Sequence, residues 1–129
     1  MKLNAKAEVF IPFGGGEKEA FSKPTPLVIA AHQDDIEIMA QHGALTCFDN
    51  PKSFFSAVVC TDGAGSPRTG IYADYTNEEM MELRKREQKK AATVGDYAFL
   101  ALLGFPSGKV KDGKERALNE DVFFFFNYL

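Results

Sequence analysis

Histidine is nearly missing from this chain: of 129 residues, only His32 and His42 carry an imidazole. A catalytic zinc usually takes three protein ligands, so imidazole alone does not furnish such a centre here. Cysteine is equally scarce. Cys47 and Cys60 sit among apolar neighbours and read as reduced core residues, a usage that fits a reducing cytoplasm, where thiols stay unbridged. There is no basic excess either. The formal net charge is −3 and no basic stripe runs along the chain, which argues against nucleic acid. Lys85, Arg86, Lys89 and Lys90 do cluster, as the solvated side of a helix does. No apolar core follows Lys2 and Lys6, so a signal peptide is not expected. The phenylalanine-rich end is far too short to span a bilayer, and no membrane partner is expected. What is present is 45% hydrophobic and 12% aromatic content, enough for one core, so residues 1–129 read as a single domain.

The apolar periods order the chain. Lys2 to Phe13 holds Val9, Phe10 and Ile11 and reads as an edge strand or an N-terminal arm. Gly14-Gly15-Gly16 is a break. It lacks the following Lys-Ser or Lys-Thr pair of a phosphate loop, so a turn or linker is expected. Leu27 to Ala31 is continuously apolar, the mark of a strand covered on both faces, and Pro26 sits where a strand can begin. Ile36, Met39, Ala40, Gly43, Ala44, Cys47 and Phe48 then recur at helical spacing, and Asp49-Asn50-Pro51 ends that helix. Phe55 to Cys60 is a second buried strand. Thr76-Asn77-Glu78-Glu79 has capping-box spacing and opens a helix. Met80, Leu83, Ala91 and Val94 are expected to pack it, Glu82 to pair with Arg86, and Gly95 to close it in a left-handed conformation. Phe99 to Leu103 is the third core strand. Lys109 to Asp121 reads as polar and unstructured, and the four phenylalanines of Val122–Leu129 read as a foreign or interrupted end, with packing on the sheet as the alternative. Strand, helix, strand, helix, strand predicts an α/β fold: a Rossmann-like three-layer sandwich with a mostly parallel, right-handed sheet, incomplete at the C-terminus.

The chemistry concentrates where the first core strand runs into its turn. His32, Asp34 and Asp35 stand at the C-terminal lip of a buried strand, the natural edge of a crevice. His32 and Asp35 can bend toward one divalent cation while Asp34 stays free to handle a proton. The plainer reading has Asp34 or Asp35 capping the next helix and His32 hydrogen-bonded in the turn. Spacing does not decide between them. Asp62, before Gly63, reads as a turn residue rather than a ligand. Arg84 reads either as an exposed ion-pair partner or as a guanidinium holding a hydroxyl, carboxylate or phosphate with paired donors. The segment from Gly65 to Tyr75 reads as a mobile loop over the crevice.

His32-Gln33-Asp34-Asp35 after a strand resembles the His-Pro-Asp-Asp motif of the LmbE-like deacetylases, the PIG-L family of zinc-dependent N-deacetylases. Further matches follow in the same order. Thr61-Asp62-Gly63-Ala64-Gly65 resembles the family's loop after its second strand. Arg84-Lys85-Arg86-Glu87, with Ala91-Ala92 and Gly95, is similar to its Arg-x-x-Glu helix. Leu103-Gly104-Phe105-Pro106 is similar to its Leu-Gly-Tyr-Pro turn. The resemblance implies that His32 and Asp35 bind Zn2+, with another divalent metal as the alternative. It implies that Asp34 is the general base and that Arg84 binds substrate. The implied reaction is removal of an N-acetyl group from an amino sugar or glycoconjugate by zinc-activated water. Homo-oligomerisation, and metal-assisted hydration in place of deacetylation, stay open.

Departures shape the expectation. Gln33 replaces the motif's proline, while Ala64 and Ser107 stand where the family often has Glu and Asp, so sugar contacts do not transfer there. Family members complete the zinc site with a second histidine from a C-terminal half. His42 lies about 10 Å along the helix after the motif and reads as a helix-surface or packing residue. The expectation is therefore a truncated or frame-shifted domain. An inactive fragment lacking the third ligand is one alternative. A receiver-like, magnesium-binding signalling domain is another, in which Asp62 would be the phosphoacceptor.

Overall fold

A computed structural model describes residues 2–127. Its centre is β3 (Phe54–Thr61), buried at every position after Phe54. Such burial on both faces suits the run Phe-Ser-Ala-Val-Val-Cys, whose small and β-branched side chains fit between two helical layers. The sheet has four strands in the order β1-β4-β3-β2. Here β1 is Glu8–Phe10, β2 is Pro24–Ala30 and β4 is Phe99–Phe105. Strands β2, β3 and β4 are parallel, while β1 pairs antiparallel with β4. The apolar segment around Val9 is thus an edge strand.

Strand alternation sends side chains into two cores. Phe55, Ala57 and Val59 meet Ile36, Cys47, Ala92 and Leu100 on one face. Val58 and Cys60 meet Phe21, Phe99, Leu103, Leu118 and Phe125 on the other. The first face is covered by α2 (Asp35–Met39), α3 (Gln41–Cys47) and α4 (Asn77–Val94); the second by α1 (Glu17–Ser22) and α6 (Arg116–Phe126). Between them, α5 (Ser107–Asp112) follows β4. The apolar run of β2 also serves both faces, Leu27 and Ile29 on one and Val28 and Ala30 on the other. Only Ala30 is fully buried, because β2 is an edge strand.

The capping box at Thr76 is formed. Thr76 Oγ1 accepts from the Glu79 N–H at 3.2 Å, and Glu79 Oε2 accepts from the Thr76 N–H at 2.8 Å. Met80, Gln88 and Ala92 are the buried residues of α4, while Val94, expected to pack, is 68% exposed. Glu82 pairs with Lys85 at 3.5 Å rather than with Arg86. On the basic side of α4, Lys85 and Lys89 reach Glu8 on β1, and Lys89 lies 5.6 Å from the Phe10 ring centroid. Part of that solvated face therefore ties the helix to the edge strand.

Four expectations are corrected. The helix after the motif is two short helices, parted at Ala40, whose φ −116°, ψ 19° leaves the helical region. Met39 and Phe48, expected in one buried stripe, are exposed. Gly95 has an ordinary φ of −81° and the left-handed residue is Asp96, φ 60°. Gly95 is needed for space instead, since a Cβ there would lie 2.6 Å from Tyr97 Cε1. Gly104 and Phe105, expected in the turn after the third strand, belong to β4, with a register shift against β3 between Val59 and Thr61.

A further correction concerns the end of the chain. Lys109 to Asp121 is largely helical, and the phenylalanines continue α6. Leu118, Asp121, Val122 and Phe125 turn inward at the i, i+3, i+4, i+7 spacing of one helix face. Asp121 accepts from the Asn4 backbone N–H at 3.1 Å and from Asn4 Nδ2 at 2.5 Å, while Nδ2 also donates to the Leu103 carbonyl at 3.0 Å. Phe125 stacks on Phe99 and meets Phe21 edge-on. The end packs on its own sheet; Tyr128 and Leu129, counted in that segment, lie outside the described residues. Phe125→Ala is expected to destabilise the protein by about 3–5 kcal/mol, read as a lower denaturant midpoint at unchanged slope.

Candidate functional site

His32, Gln33 and Asp34 form the turn between β2 and α2, beside the C-terminal ends of β3 and β4. The turn is held from three sides. Asp35 Oδ2 accepts from the His32 backbone N–H at 3.0 Å. Gln33, 7% exposed, donates from Nε2 to the Thr61 carbonyl at 2.9 Å and so ties the turn to β3. A proline at this position would have no such donor. The Asp34 backbone N–H donates to Gln88 Oε1 of α4 at 3.1 Å.

The plainer reading of the carboxylates fails at Asp34. It occupies the N-cap position of α2 without capping it, in a left-handed conformation (φ 71°, ψ −23°). Its Oδ2 meets Arg84 Nη2 at 2.7 Å, and Arg84 Nη1 donates to Glu87. Burial works against the Arg84 charge, but the hydrogen bond and charge of Asp34, joined by Glu87, outweigh it and hold the guanidinium above its ordinary pKa. Arg84 is therefore a fixed cation, and its Nε is buried without a hydrogen-bond partner among the described residues. Both terminal nitrogens already face carboxylates of this chain.

His32 lies between two partners. Nδ1 is 3.4 Å from Asp35 Oδ2 and Nε2 is 3.3 Å from Ser107 Oγ. Two donors of a tetrahedral zinc, each about 2.0–2.1 Å from the ion, are about 3.3 Å apart, so the first pair fits two corners of such a site. With the Nε2 proton on the Ser107 side, Nδ1 presents its lone pair beside Asp35, the orientation an outer-shell partner imposes on a metal-binding imidazole. Among the described residues, no group of three or more His, Cys, Asp and Glu side chains that could hold a metal comes together. His42 is exposed on α3, the surface alternative of the two expected for it.

A pocket of about 270 Å³ opens here, lined by His32, Thr61, Gly63, Arg84, Ser107 and Lys111 among others. In its wall, Thr61 Oγ1 and Arg84 Nε are buried without a hydrogen-bond partner among the described residues. Asp62 is a turn residue: its Oδ1 accepts from the Ala64 N–H at 3.0 Å. The segment from Gly65 to Tyr75 is tied down rather than free. Arg68 donates to the carbonyls of Ala64, Ser66 and Tyr75 and to Asn77 Oδ1. Gly63 is where α4 approaches most closely. At φ 82°, a Cβ would meet Arg84 Cβ at 2.8 Å and Cγ at 2.9 Å. Gly63→Ala is expected to cost about 2–4 kcal/mol in left-handed strain and overpacking and to push Arg84 off Asp34, measured by chemical denaturation.

The residues the motif reading passed over are Gln88, Glu37, Tyr97 and, as a partner of His32, Ser107. Gln88 did carry a signal, since it stands four residues after Arg84 and shares its helix face. Glu37 and Tyr97 carried none, because their meeting depends on the packing of α2 against the start of β4. Cys47 and Cys60 are buried free thiols. Burial raises both pKa values, that of Cys60 to about 11, so they stay protonated at neutral pH. Among the described residues no helix is long and apolar enough to cross a membrane.

Residues 27–127 match the family described as PIG-L, GlcNAc-PI de-N-acetylase. Comparison with curated proteins and with solved structures finds no match.

Proposed function

The chain belongs to the PIG-L, LmbE-like family, and from that premise we propose that it is a metal-dependent hydrolase removing an N-acetyl group from an amino-sugar-like substrate. The family suggests a deacetylase-type hydrolase acting on N-acetylated sugars. The observation that carries the reading to this chain is the division of labour at one strand end. His32 Nδ1 and Asp35 Oδ2 lie side by side, while the carboxylate of Asp34 is turned away from them onto Arg84.

In this reading His32 and Asp35 hold Zn2+. When bound, zinc polarises the acyl carbonyl and lowers the pKa of a coordinated water to roughly 7. Asp34 takes the proton of the attacking water and returns one to the leaving amine. Arg84 fixes the direction of the Asp34 carboxylate, and its buried Nε, with Thr61 Oγ1, leaves unmet hydrogen-bonding capacity in the pocket wall. Ser107 holds the His32 ring from the far side. We also read the fold as a Rossmann-like sandwich within one domain. Three parallel strands taken in chain order, with both connections on one face, support it.

A second reading, an inactive form, is favoured by the absence of a third metal-binding side chain among the described residues. Zinc titration by calorimetry, together with acetate release from N-acetylglucosamine glycosides, separates the two. Near-stoichiometric zinc with acetate release is the expected result. No uptake at micromolar zinc would leave the inactive form standing.

A further inference from the structure

From the hydrogen bonds behind the pocket we infer that Gln88 is a positioning residue that locks Asp34 in its left-handed conformation, acting through a partly buried relay with Glu37 and Tyr97. The inference rests on the reading of Asp34 as the proton acceptor and adds what holds it in place. A single Asp can visit the left-handed region, but it is held there only where its surroundings fix it. At Asp34 the Asp35 and Gln33 bonds hold the flanking residues, and no side-chain capping bond to α2 supplies this. Gln88 does. It is 1% exposed, its Oε1 accepts the Asp34 N–H at 3.1 Å, and its Nε2 donates to Glu37 Oε1 at 2.9 Å. Tyr97 donates its hydroxyl to the same Glu37 oxygen at 2.7 Å.

The chemistry of the relay allows one orientation. A backbone N–H can only donate, so the amide presents its oxygen to Asp34 and is left with its nitrogen to donate to Glu37. Glutamine provides both ends at once; neither glutamate nor leucine does. Arg84 and Gln88 are also one helical turn apart on α4. One turn of helix therefore grips Asp34 twice, by its carboxylate at 2.7 Å and by its backbone N–H at 3.1 Å. A carboxylate held at both ends keeps its direction, and a misplacement of about 1 Å in such a group costs roughly 100-fold in rate.

The test needs no substrate. In 15N-labelled protein, Gln88→Leu is expected to speed hydrogen exchange at the Asp34 amide about tenfold or more, with zinc binding to His32 changed less than about twofold. Gln88→Glu keeps the acceptor but sets a second carboxylate against Glu37, and the same acceleration is expected. The exchanged pair Glu37→Gln with Gln88→Glu restores a donor between the two acceptors and is expected to return Asp34 to wild-type protection. Where acetate release from N-acetylglucosamine glycosides is measurable, kcat should fall about 10-fold to 100-fold in the single variants, recover in the pair, and leave KM within about twofold. Unchanged Asp34 exchange in a folded Gln88→Leu protein, or failure of the exchanged pair to restore it, would overturn the inference. Absence of zinc uptake or acetate release in the wild type would instead remove the hydrolase reading, leaving the exchange result to stand by itself.

Discussion

His32→Ala is expected to weaken zinc binding more than about 100-fold, beyond the 10-fold to 100-fold typical of losing an outer-shell partner. Two of the donors available to a metal at this turn are His32 Nδ1 and Asp35 Oδ2, 3.4 Å apart. Removing the imidazole leaves one carboxylate, and that group is already engaged by the His32 backbone N–H. The fold should hardly notice. The His32 side chain is 47% exposed, so its loss opens no cavity, and stability is expected to stay within about 0.5 kcal/mol. Ser107→Ala provides the internal comparison: it removes only the contact to Nε2 at 3.3 Å and should weaken zinc about tenfold. Equal zinc affinity in wild type and His32→Ala, measured by calorimetry, would remove the metal from this turn.

Asp34→Asn carries the largest expected loss of turnover, about 10²-fold to 10⁴-fold, the range of general acid–base assistance. The substitution is unusually clean. Asparagine tolerates the left-handed region much as aspartate does, so φ 71° can be kept. Its amide oxygen can still accept from Arg84, while its capacity to take a proton is gone. Zinc affinity should stay within about threefold, because Asp34 faces Arg84 and not the His32–Asp35 pair. Acetate release and zinc titration on the same preparation check both halves. Retained turnover with N-acetylglucosamine glycosides would transfer the proton role to another group.

Much of the sheet was legible because its signals are local. A continuous apolar run must cover two faces, and Leu27 to Ala30 does so. The Thr76 capping box needs only four residues to be recognised. Gly95 was misjudged because glycine after a helix usually signals a left-handed cap, whereas here it makes room for Tyr97 and Asp96 takes the positive φ. Helix α6 was hidden by its own composition. Asp121 takes an inward position that periodicity expects to be apolar, while Phe123 and Phe126 point outward, 62% and 53% exposed. Only the tertiary partner, Asn4, explains a buried carboxylate on that face. At the site, residue types at strand ends suggested the donors. That Asp34 would be twisted toward Arg84, and that Ser107 would meet His32 across 75 positions, depends on how β2, β4 and α4 come together.

The open side of the sheet is β2, which among the described residues has a neighbour on one flank only. Its first half contains Pro24 and Pro26, two positions with no N–H to offer an incoming strand. The opposite rim is taken by β1, pinned from above by Lys85 and Lys89. Recruitment of a foreign strand is thus discouraged along the Pro24–Pro26 half of β2, where the donors are missing.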